Sequence, residues 1–401
     1  MAPKRRPLAV ILICLIVATF AEVATPQDQA TASQKRTDIF RFRKLPLTKF
    51  YDTANPLPPG KPGELIRSAE FYEYNLPEDV NAVRILYHSH SAAGDDVAAS
   101  GVVLFPDHKP PSGGWPIIAW AHSLNGVARG CAPSLDRNLQ HGPFLSMYVR
   151  LGYAVVATDY TGLGTGFRSA FADVPSNALD LIYSVGAARR AVPQLGPHWI
   201  SMGTGEGGMA AAGVAELESD IHDPDYLGSV VISRLADPQE LYEPVNALTY
   251  KLPLFLAYGI KTVYPQFEVR DMLSSEAIPL YQHVGLACSN DEAGPSPLAA
   301  AMLKRNWEQN QFVQKYFERN RIGLKPAKAP LLVISSADDL SVTETTKVVA
   351  RLCEQGDRVE FEKYAESDPG RVIGDSARDQ MAWIQQRFAN GAMRSNCSAV
   401  K

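Results

Sequence analysis

A glycine-rich turn in the middle of the chain is the feature that most limits how this sequence can fold. The turn, Gly203-Thr-Gly205-Glu-Gly207-Gly208, follows the short apolar run His198–Met202 and opens an alanine-rich stretch, Gly207–Glu218. The apolar run is typical of a buried strand, and the alanine-rich stretch is typical of a helix. Such a tight turn between a strand and a helix needs small residues where the backbones approach each other. The sequence therefore predicts a sharp strand–turn–helix unit centred on Gly205.

Strands and helices alternate along most of the chain. Apolar runs that predict buried strands lie at Val83–Tyr87, Ala98–Phe105, Trp115–Ala121, Tyr153–Asp159, Gly228–Ile232 and Pro330–Ser335. Helical spacing of apolar residues occurs at Phe144–Leu151 and Asn177–Ala191. This alternation predicts an α/β fold, with a mostly parallel central sheet and helices on both faces. The alternation stops between about residues 237 and 322, which we interpret as an insertion over the carboxyl ends of the strands.

The N-terminal segment has the features of a secretory signal. Lys4-Arg5-Arg6 precedes an apolar run, Leu8–Ala21, which Glu22 ends. The run is shorter than the roughly 20 apolar residues that a membrane span needs, so we expect residues 1–21 to be a signal peptide. Residues 22–60 are expected to be a leader arm and linker. The predicted location is therefore secreted, extracellular or periplasmic, without a transmembrane span after signal removal; a signal kept as an anchor is the alternative.

Cysteine content and charge limit the cofactors and partners. Cys14 lies in the signal, and four cysteines follow it, Cys131, Cys288, Cys353 and Cys397. An even number in an exported chain predicts two disulfides, and the lack of a C-x-x-C pair argues against structural zinc. The formal charge is −4, with 39 Lys and Arg against 43 Asp and Glu, so no basic excess indicates a nucleic-acid partner. We expect no metal and no cofactor.

The central turn also fits a dinucleotide-binding fingerprint. Gly203, Gly205 and Gly208 have the G-x-G-x-x-G spacing after a strand and before a helix. However, the turn lies in mid-chain rather than in an opening βαβ unit, and no second strand ends in an acidic residue at the required distance. Nucleotide binding is therefore the weaker interpretation.

Two further motifs and the central turn follow the order and spacing of a known family. Its pattern H-G-x-x-G-x-x-x-x-C-A-P-S corresponds to His122–Ser134, D-Y-x-G-L-G-T occurs as Asp159–Thr165, and G-H-S-Q-G-G corresponds to Gly203–Gly208. Together with Trp383–Phe388 near the end, these motifs resemble the secretory lipase family of α/β-hydrolases, which includes fungal lipase A and actinobacterial secreted lipases. The resemblance covers about residues 85–391. It implies an α/β-hydrolase fold and the activity of a triacylglycerol lipase or carboxylic ester hydrolase in lipid catabolism.

The resemblance also implies a domain organisation and a disulfide pattern. The hydrolase core would comprise residues 61–236 and 323–401, and residues 237–322 would form a cap or lid. The disulfides would join Cys131 to Cys288, which ties the cap to the core, and Cys353 to Cys397.

Two residues that catalysis requires in this family are missing. The nucleophilic serine corresponds to Gly205, and the histidine, fourteen positions before Trp383, corresponds to Pro369. Asp338 corresponds to the acid of the triad. Glycine offers no nucleophile and proline no general base. The resemblance therefore implies a lipase-like pseudoenzyme with impaired catalysis, which retains binding of a lipid or acyl ester.

Five residues around the turn are candidates for an oxyanion and pocket region. The family's H-G corresponds to His122-Ser123, and the backbone N–H of Glu206 has the position of the main oxyanion donor. The carboxylate of Glu206 works against anions. We expect His122 to be a hydrogen-bonded structural residue and Asp159-Tyr160 to brace a loop.

Two alternative functions stay open. An active lipase or esterase would need a relocated nucleophile, for which Ser201, expected to pack on its strand, and Ser376, expected at the surface, are weak candidates. No histidine lies in the loop after the last strand, where the base would be expected. The other alternative is a non-catalytic protein-interaction module. The sequence indicates no oligomeric state.

Overall fold

A nine-stranded sheet forms the centre of the chain from Lys44 onward. The computed structural model describes residues 44–233, 235–241, 251–289, 299–336 and 342–400. The predicted signal peptide, most of the leader arm and Asp338 lie outside the described residues. The strands are β1 (Leu65–Glu70), β2 (Val80–His90), β3 (Asp96–Pro106), β4 (Trp115–Ala121), β5 (Ala154–Thr158), β6 (Leu195–Thr204), β7 (Tyr226–Ile232), β8 (Leu331–Ser336) and β9 (Val359–Tyr364).

The sheet is antiparallel at one end and parallel over the rest. Its strand order is β1-β2-β3-β5-β4-β6-β7-β8-β9. The pairs β1–β2, β2–β3 and β3–β5 are antiparallel, and the pairs from β5 through β9 are parallel. In the β4–β6 pair Ala121 lies opposite Gly203, so the residues that follow β4 meet the turn that follows β6. The mostly parallel sheet confirms the predicted fold class.

Helices cover both faces of this sheet, as the sequence predicts. They are α1 (Gly142–Arg150), α2 (Val174–Ala191), α3 (Glu206–Ile221), α4 (Pro238–Leu241), α5 (Lys251–Val263), α6 (Ala277–Tyr281), α7 (Gln311–Arg319), α8 (Val342–Glu354), α9 (Val372–Asp375) and α10 (Ala377–Phe388). Apolar side chains of α2, α3 and α8 join one core cluster, and those of α1 and α10 join the cluster on the other face. No helix in the described part of the chain is long and apolar enough to span a membrane.

Two strands, β1 and β9, are absent from the sequence prediction. Strand β1 is an edge strand without a fully buried side chain, so it has no continuous apolar run for a pattern search to find. Strand β9 buries Val359 and Phe361 and alternates them with Glu360 and Glu362. That alternation is the ordinary signal of a half-buried strand, and it was present in the sequence.

The segment between β7 and β8 contains helices α4 to α7 and no strand among its described residues. Its apolar side chains, including Phe255, Phe267 and Tyr316, form a third cluster with Val127 and Phe171 from loops at the strand ends. Residues 242–250 and 290–298 of the predicted cap lie outside the described residues.

Two disulfides have the pairing that the resemblance implies. They join Cys131 to Cys288 and Cys353 to Cys397. Beside the first disulfide, Gly126 forms a β-bridge with Cys288, so this covalent link is reinforced by backbone hydrogen bonding.

Candidate active site and its pocket

The turn between β6 and α3 has the sharp backbone of a nucleophile elbow. Gly205 adopts φ 57° and ψ −119°, a conformation that side-chain-bearing residues adopt only under strain. A Cβ atom on Gly203 would collide with the carbonyl of Gly207, and one on Gly207 would collide with the carbonyl of Ala121. The glycines on either side of the turn are therefore required by close backbone packing between β4, β6 and α3.

The hydroxyl of Ser123 lies close to the position that a side chain at residue 205 would occupy. A Cβ atom built on Gly205 would lie 2.6 Å from Ser123 Oγ, which is shorter than any ordinary carbon–oxygen contact. Ser123 follows the end of β4 and is half-buried. Within the described part of the chain its hydroxyl has no hydrogen-bond partner. The family pattern has glycine at this position. This chain has a serine there instead, and its hydroxyl lies beside the elbow.

His122 is buried behind the turn and faces backbone carbonyls. Its Nδ1 lies 2.7 Å from the carbonyl oxygen of Ser123, and its Nε2 lies 3.2 Å from that of Asp159. Burial lowers the pKa of His122 to about 4, so the ring is neutral at neutral pH. The ring also packs 4.3 Å from that of Tyr160, whose hydroxyl donates to the carbonyl of His122. Both ring nitrogens therefore lie beside backbone carbonyls, and the neutral ring can donate a hydrogen bond to one of them.

Asp159 lies at the centre of a buried hydrogen-bond cluster. Its carboxylate accepts from Ser100 Oγ at 2.6 Å, from Ser134 Oγ at 2.5 Å and from the Ser134 N–H at 2.8 Å. Burial raises the pKa of Asp159, while these hydrogen bonds and the Arg84 guanidinium oppose the rise. The carboxylate thus ties the loop after β5 to the strand β3 and to the segment around Ser134.

A cavity of about 100 Å³ opens beside the elbow. Most of its wall is apolar and comes from Leu124, Phe171, Val174, Met209, Pro238 and Leu252. Its polar side chains are Asn177, Glu206 and Asn320, and Gly205 contributes backbone. An apolar pocket with a few converging polar groups is the usual form of a small-molecule site.

Glu206 holds its carboxyl group in the wall of this cavity. Its Oε1 accepts from the Ala172 N–H at 2.8 Å and from Asn177 Nδ2 at 3.0 Å. Burial raises the pKa of Glu206 to about 7, although both hydrogen bonds oppose the rise. Within the described residues its other oxygen, Oε2, accepts no hydrogen bond. The side chain next to the elbow tip therefore contributes to the pocket wall.

The position that the resemblance assigns to the catalytic histidine lies in a surface turn. Pro369 is exposed and does not line the cavity. The turn is closed by Asp368, whose carboxylate accepts from the Gly370 N–H at 2.8 Å, the Arg371 N–H at 3.0 Å and Arg371 Nε at 2.6 Å. Of the predicted site residues, the structure therefore brings together those near Gly205 but leaves Pro369 at the surface.

The two serines considered as relocated nucleophiles do not line the cavity. Ser201 is buried on β6, where its hydroxyl lies 2.6 Å from Ser229 Oγ. The prediction that Ser376 is exposed is wrong, because Ser376 is fully buried. Its hydroxyl donates to the Val372 carbonyl at 2.5 Å and accepts from Gln380 Nε2 at 2.6 Å, and these contacts hold α9 against α10.

Asn177 and Asn320 are pocket residues that the sequence analysis missed. Asn177 lies in the first turns of α2, and Asn320 follows α7 and accepts from the Val174 N–H. Neither belongs to a motif, and only the packing of α2 against α3 and α7 brings them to the cavity. No group of three or more His, Cys, Asp or Glu residues is placed to hold a metal ion in the described ranges.

Comparison with known proteins identifies the family. The profile of the secretory lipase family matches residues 141–396. The chain belongs to the secretory lipase family. This result confirms the resemblance found in the sequence, and the matched region includes Cys353 but ends one residue before Cys397.

Solved structures show the same α/β-hydrolase fold. Lipase A from Candida antarctica, in its closed state, superposes with a TM-score of 0.74 at 16% identity, over 88% of this chain and 89% of that chain. The rice cell wall degrading esterase LipA from Xanthomonas oryzae superposes with a TM-score of 0.69 at 17% identity, over 83% of this chain and 100% of that chain. A search of functionally curated proteins found no match.

Proposed function

We propose that this protein is an exported member of the secretory lipase family that has lost ester hydrolysis by a serine–histidine mechanism and uses its elbow pocket to bind a small apolar ligand. The observation that carries this proposal is the contact between Ser123 Oγ and the side-chain position of Gly205. The elbow backbone is intact, but the space of the nucleophile is taken by a hydroxyl group from another strand end.

The chemistry at this site lacks a base as well as a nucleophile. Serine attacks a carbonyl only when a neighbouring base removes its proton. His122, the neighbour of Ser123, directs both ring nitrogens at backbone carbonyls, and Pro369 cannot accept a proton. What remains are the backbone donors of the elbow and the apolar wall of the cavity, which can bind a ligand without transforming it.

Export and a cap are parts of the same proposal. Both disulfides close long loops, with sequence separations of 157 and 44 between their cysteines, and such bonds persist in oxidising compartments. Together with the predicted signal peptide, they support a secreted or periplasmic protein. The helices between β7 and β8 contribute Pro238 and Leu252 to the cavity wall, which supports a cap over the site.

Hydrolysis of p-nitrophenyl butyrate and tributyrin tests the proposal. We expect no turnover above that of a heat-denatured sample, and no difference between the unmodified protein and Asp338→Ala, which removes the predicted triad acid. Turnover at rates typical of lipases that disappears in Asp338→Ala would show that the triad still operates and would overturn the proposal.

A restoration series tests the role of Ser123 in the same site. The variant Gly205→Ser with Pro369→His places serine and histidine at the two positions that the resemblance assigns to them, but leaves Ser123 Oγ against the new serine. Adding Ser123→Gly removes that obstacle. We expect the triple variant to react with a fluorophosphonate probe at residue 205 and the double variant to react much less. Equal labelling of the two variants would show that Ser123 does not occupy the space of the nucleophile.

One specific observation favours a second candidate function, an esterase that uses Ser123 itself. Its hydroxyl lies where the elbow nucleophile would be and is half-buried beside the cavity. Fluorophosphonate labelling of the unmodified protein, followed by peptide mapping, distinguishes the two functions. Labelling at Ser123 that is lost in Ser123→Ala would establish the esterase, whereas an unlabelled protein supports the binding function.

A further inference from the structure

The polar side-chain atoms available in the cavity beside Gly205 are hydrogen-bond acceptors rather than donors. Both polar atoms of the Asn320 amide are engaged, since Oδ1 accepts from the Val174 N–H and Nδ2 donates to the Tyr316 carbonyl. Asn177 Nδ2 donates to Glu206 Oε1, which fixes the orientation of that amide and leaves its Oδ1 as an acceptor. Within the described residues neither Asn177 Oδ1 nor Glu206 Oε2 has a partner.

No cationic side chain lines this cavity among the described residues. A carboxylate ligand placed there would meet the carboxyl of Glu206 and the oxygen of Asn177 without a positive charge to compensate. Buried like charges and unpaired acceptors are strongly unfavourable. A ligand that donates a hydrogen bond would instead satisfy the acceptors.

The size of the cavity limits the ligand. Its volume is about 100 Å³, and a cavity of about 150 Å³ is large enough for benzene. An aliphatic group of about four carbons with one polar atom is therefore a suitable probe. The apolar wall would cover the aliphatic part, and the polar atom would lie at Glu206.

We propose that this cavity binds a small apolar molecule through a hydrogen-bond-donating head, a hydroxyl or an ammonium group, held by Glu206 and Asn177, and that it rejects carboxylates. The inference rests on the proposed binding function and deepens it, because it names the chemical class of the ligand. It also separates this chain from the family pattern, which has glutamine where this chain has Glu206.

Four-carbon probes on the unmodified protein test the inference directly. Dissociation constants for n-butylamine, 1-butanol and butyrate would be measured by ligand-observed NMR at pH 8, where Glu206 is mostly ionised. We expect butylamine and butanol to bind at least about tenfold more tightly than butyrate, because a charge-assisted hydrogen bond contributes more than 1 kcal/mol. If butyrate binds as tightly as butylamine or butanol, the inference is wrong. That result would not affect the proposed loss of ester hydrolysis.

Two matched variants assign the effect to Glu206. Glu206→Gln keeps an acceptor for Ala172 and Asn177 but turns a hydrogen-bond donor towards the cavity. The affinity for butylamine should therefore fall about tenfold, and butyrate should become the ligand that binds more tightly. Glu216→Gln is the control, because Glu216 lies on the same helix and burial also raises its pKa to about 7, yet it contacts Gly323 and does not line the cavity. Equal effects of the two variants would contradict the assignment.

Failure of the inference and failure of the proposed function give different results. If none of the three probes binds, the cavity is not a ligand site, and both the inference and the binding part of the proposed function are wrong. If butyrate binds best, the pocket is functional but its chemistry is that of an acyl site. The hydrolysis assay remains independent of both outcomes.

Discussion

The elbow at Gly205 and the turn at Pro369 are the two places where our proposal has the chain without a catalytic side chain, and different contacts fix their shapes. The elbow is fixed by backbone contacts between β4, β6 and α3, so its shape does not depend on a nucleophile. The turn at Pro369 is closed by the carboxylate of its own Asp368 and faces solvent. The shape of the elbow is therefore set by packing between the sheet and α3, whereas the shape of the turn at Pro369 is set by hydrogen bonds within its own sequence.

The first prediction concerns the backbone packing of the elbow. Gly207→Ala places a methyl group against the Ala121 carbonyl, so we expect destabilisation of about 3 kcal/mol or more, or failure to fold. The matched control is Gly374→Ala in α9, near the turn at Pro369, where an added Cβ meets nothing within 4 Å. That change should be neutral or slightly stabilising. Urea unfolding of both variants measures the difference, and similar midpoints would remove the distinction between the two regions.

The two disulfides give the second prediction, since one lies beside the loop that leads to the elbow and the other lies at the start of β9, the strand that precedes the turn at Pro369. The bond between Cys131 and Cys288 adjoins the loop after β4, and the bond between Cys353 and Cys397 joins α8 to the segment that pairs with β9. Replacing a pair by alanine should cost roughly 2–5 kcal/mol, and the cost should be about 1 kcal/mol larger for the pair that closes the longer loop.

Denaturant unfolding of the two double variants under oxidising conditions provides this test. The unmodified protein after reduction serves as the control for both. A larger loss for the Cys353–Cys397 pair would mean that local contacts rather than loop length decide the stabilisation.

Glu206 gives a pH-dependent prediction for the elbow. Its pKa is raised from 4.5 to about 7 in the folded protein, so the folded state binds this proton more tightly than the unfolded state. The stabilisation that the protonated Glu206 carboxyl contributes is therefore complete below pH 4.5 and is lost as the pH rises through about 7. At 1.4 kcal/mol per pKa unit the loss is about 3 kcal/mol.

Urea unfolding at intervals from pH 4.5 to pH 8 measures this loss. Glu206→Gln should flatten the dependence by about that amount. The carboxyls of Glu216, Glu218 and Asp180, whose pKa values burial also raises, contribute equally to both proteins and cancel in the difference. If the free energy of unfolding changes with pH in the same way for the two proteins, Glu206 is not buried in the way described.

The same contrast explains what the sequence could predict. Local features sufficed for the glycine turn and the buried strands, because close packing at Gly203 and apolar runs such as Val155–Ala157 leave clear patterns. The sequence could not show that Ser123 Oγ meets Gly205, since the two are brought together only by the register of β4 on β6. The exposure expected for Ser376 was wrong for a similar reason, because its burial depends on how α9 packs on α10.

The smallest predicted effect lies in the turn at Pro369. Arg371 holds the pKa of Asp368 below its ordinary value of 3.8, so the ionised carboxylate stabilises the turn above that pH and the stabilisation is lost as the pH falls through and below it. Asp368→Asn should therefore lower stability slightly at neutral pH and not at all in strong acid. Because the turn does not line the cavity, the variant should bind butylamine like the unmodified protein. Amide hydrogen exchange at Gly370 and Arg371 reports the loosened turn, and a change in ligand affinity would show that the two regions are coupled after all.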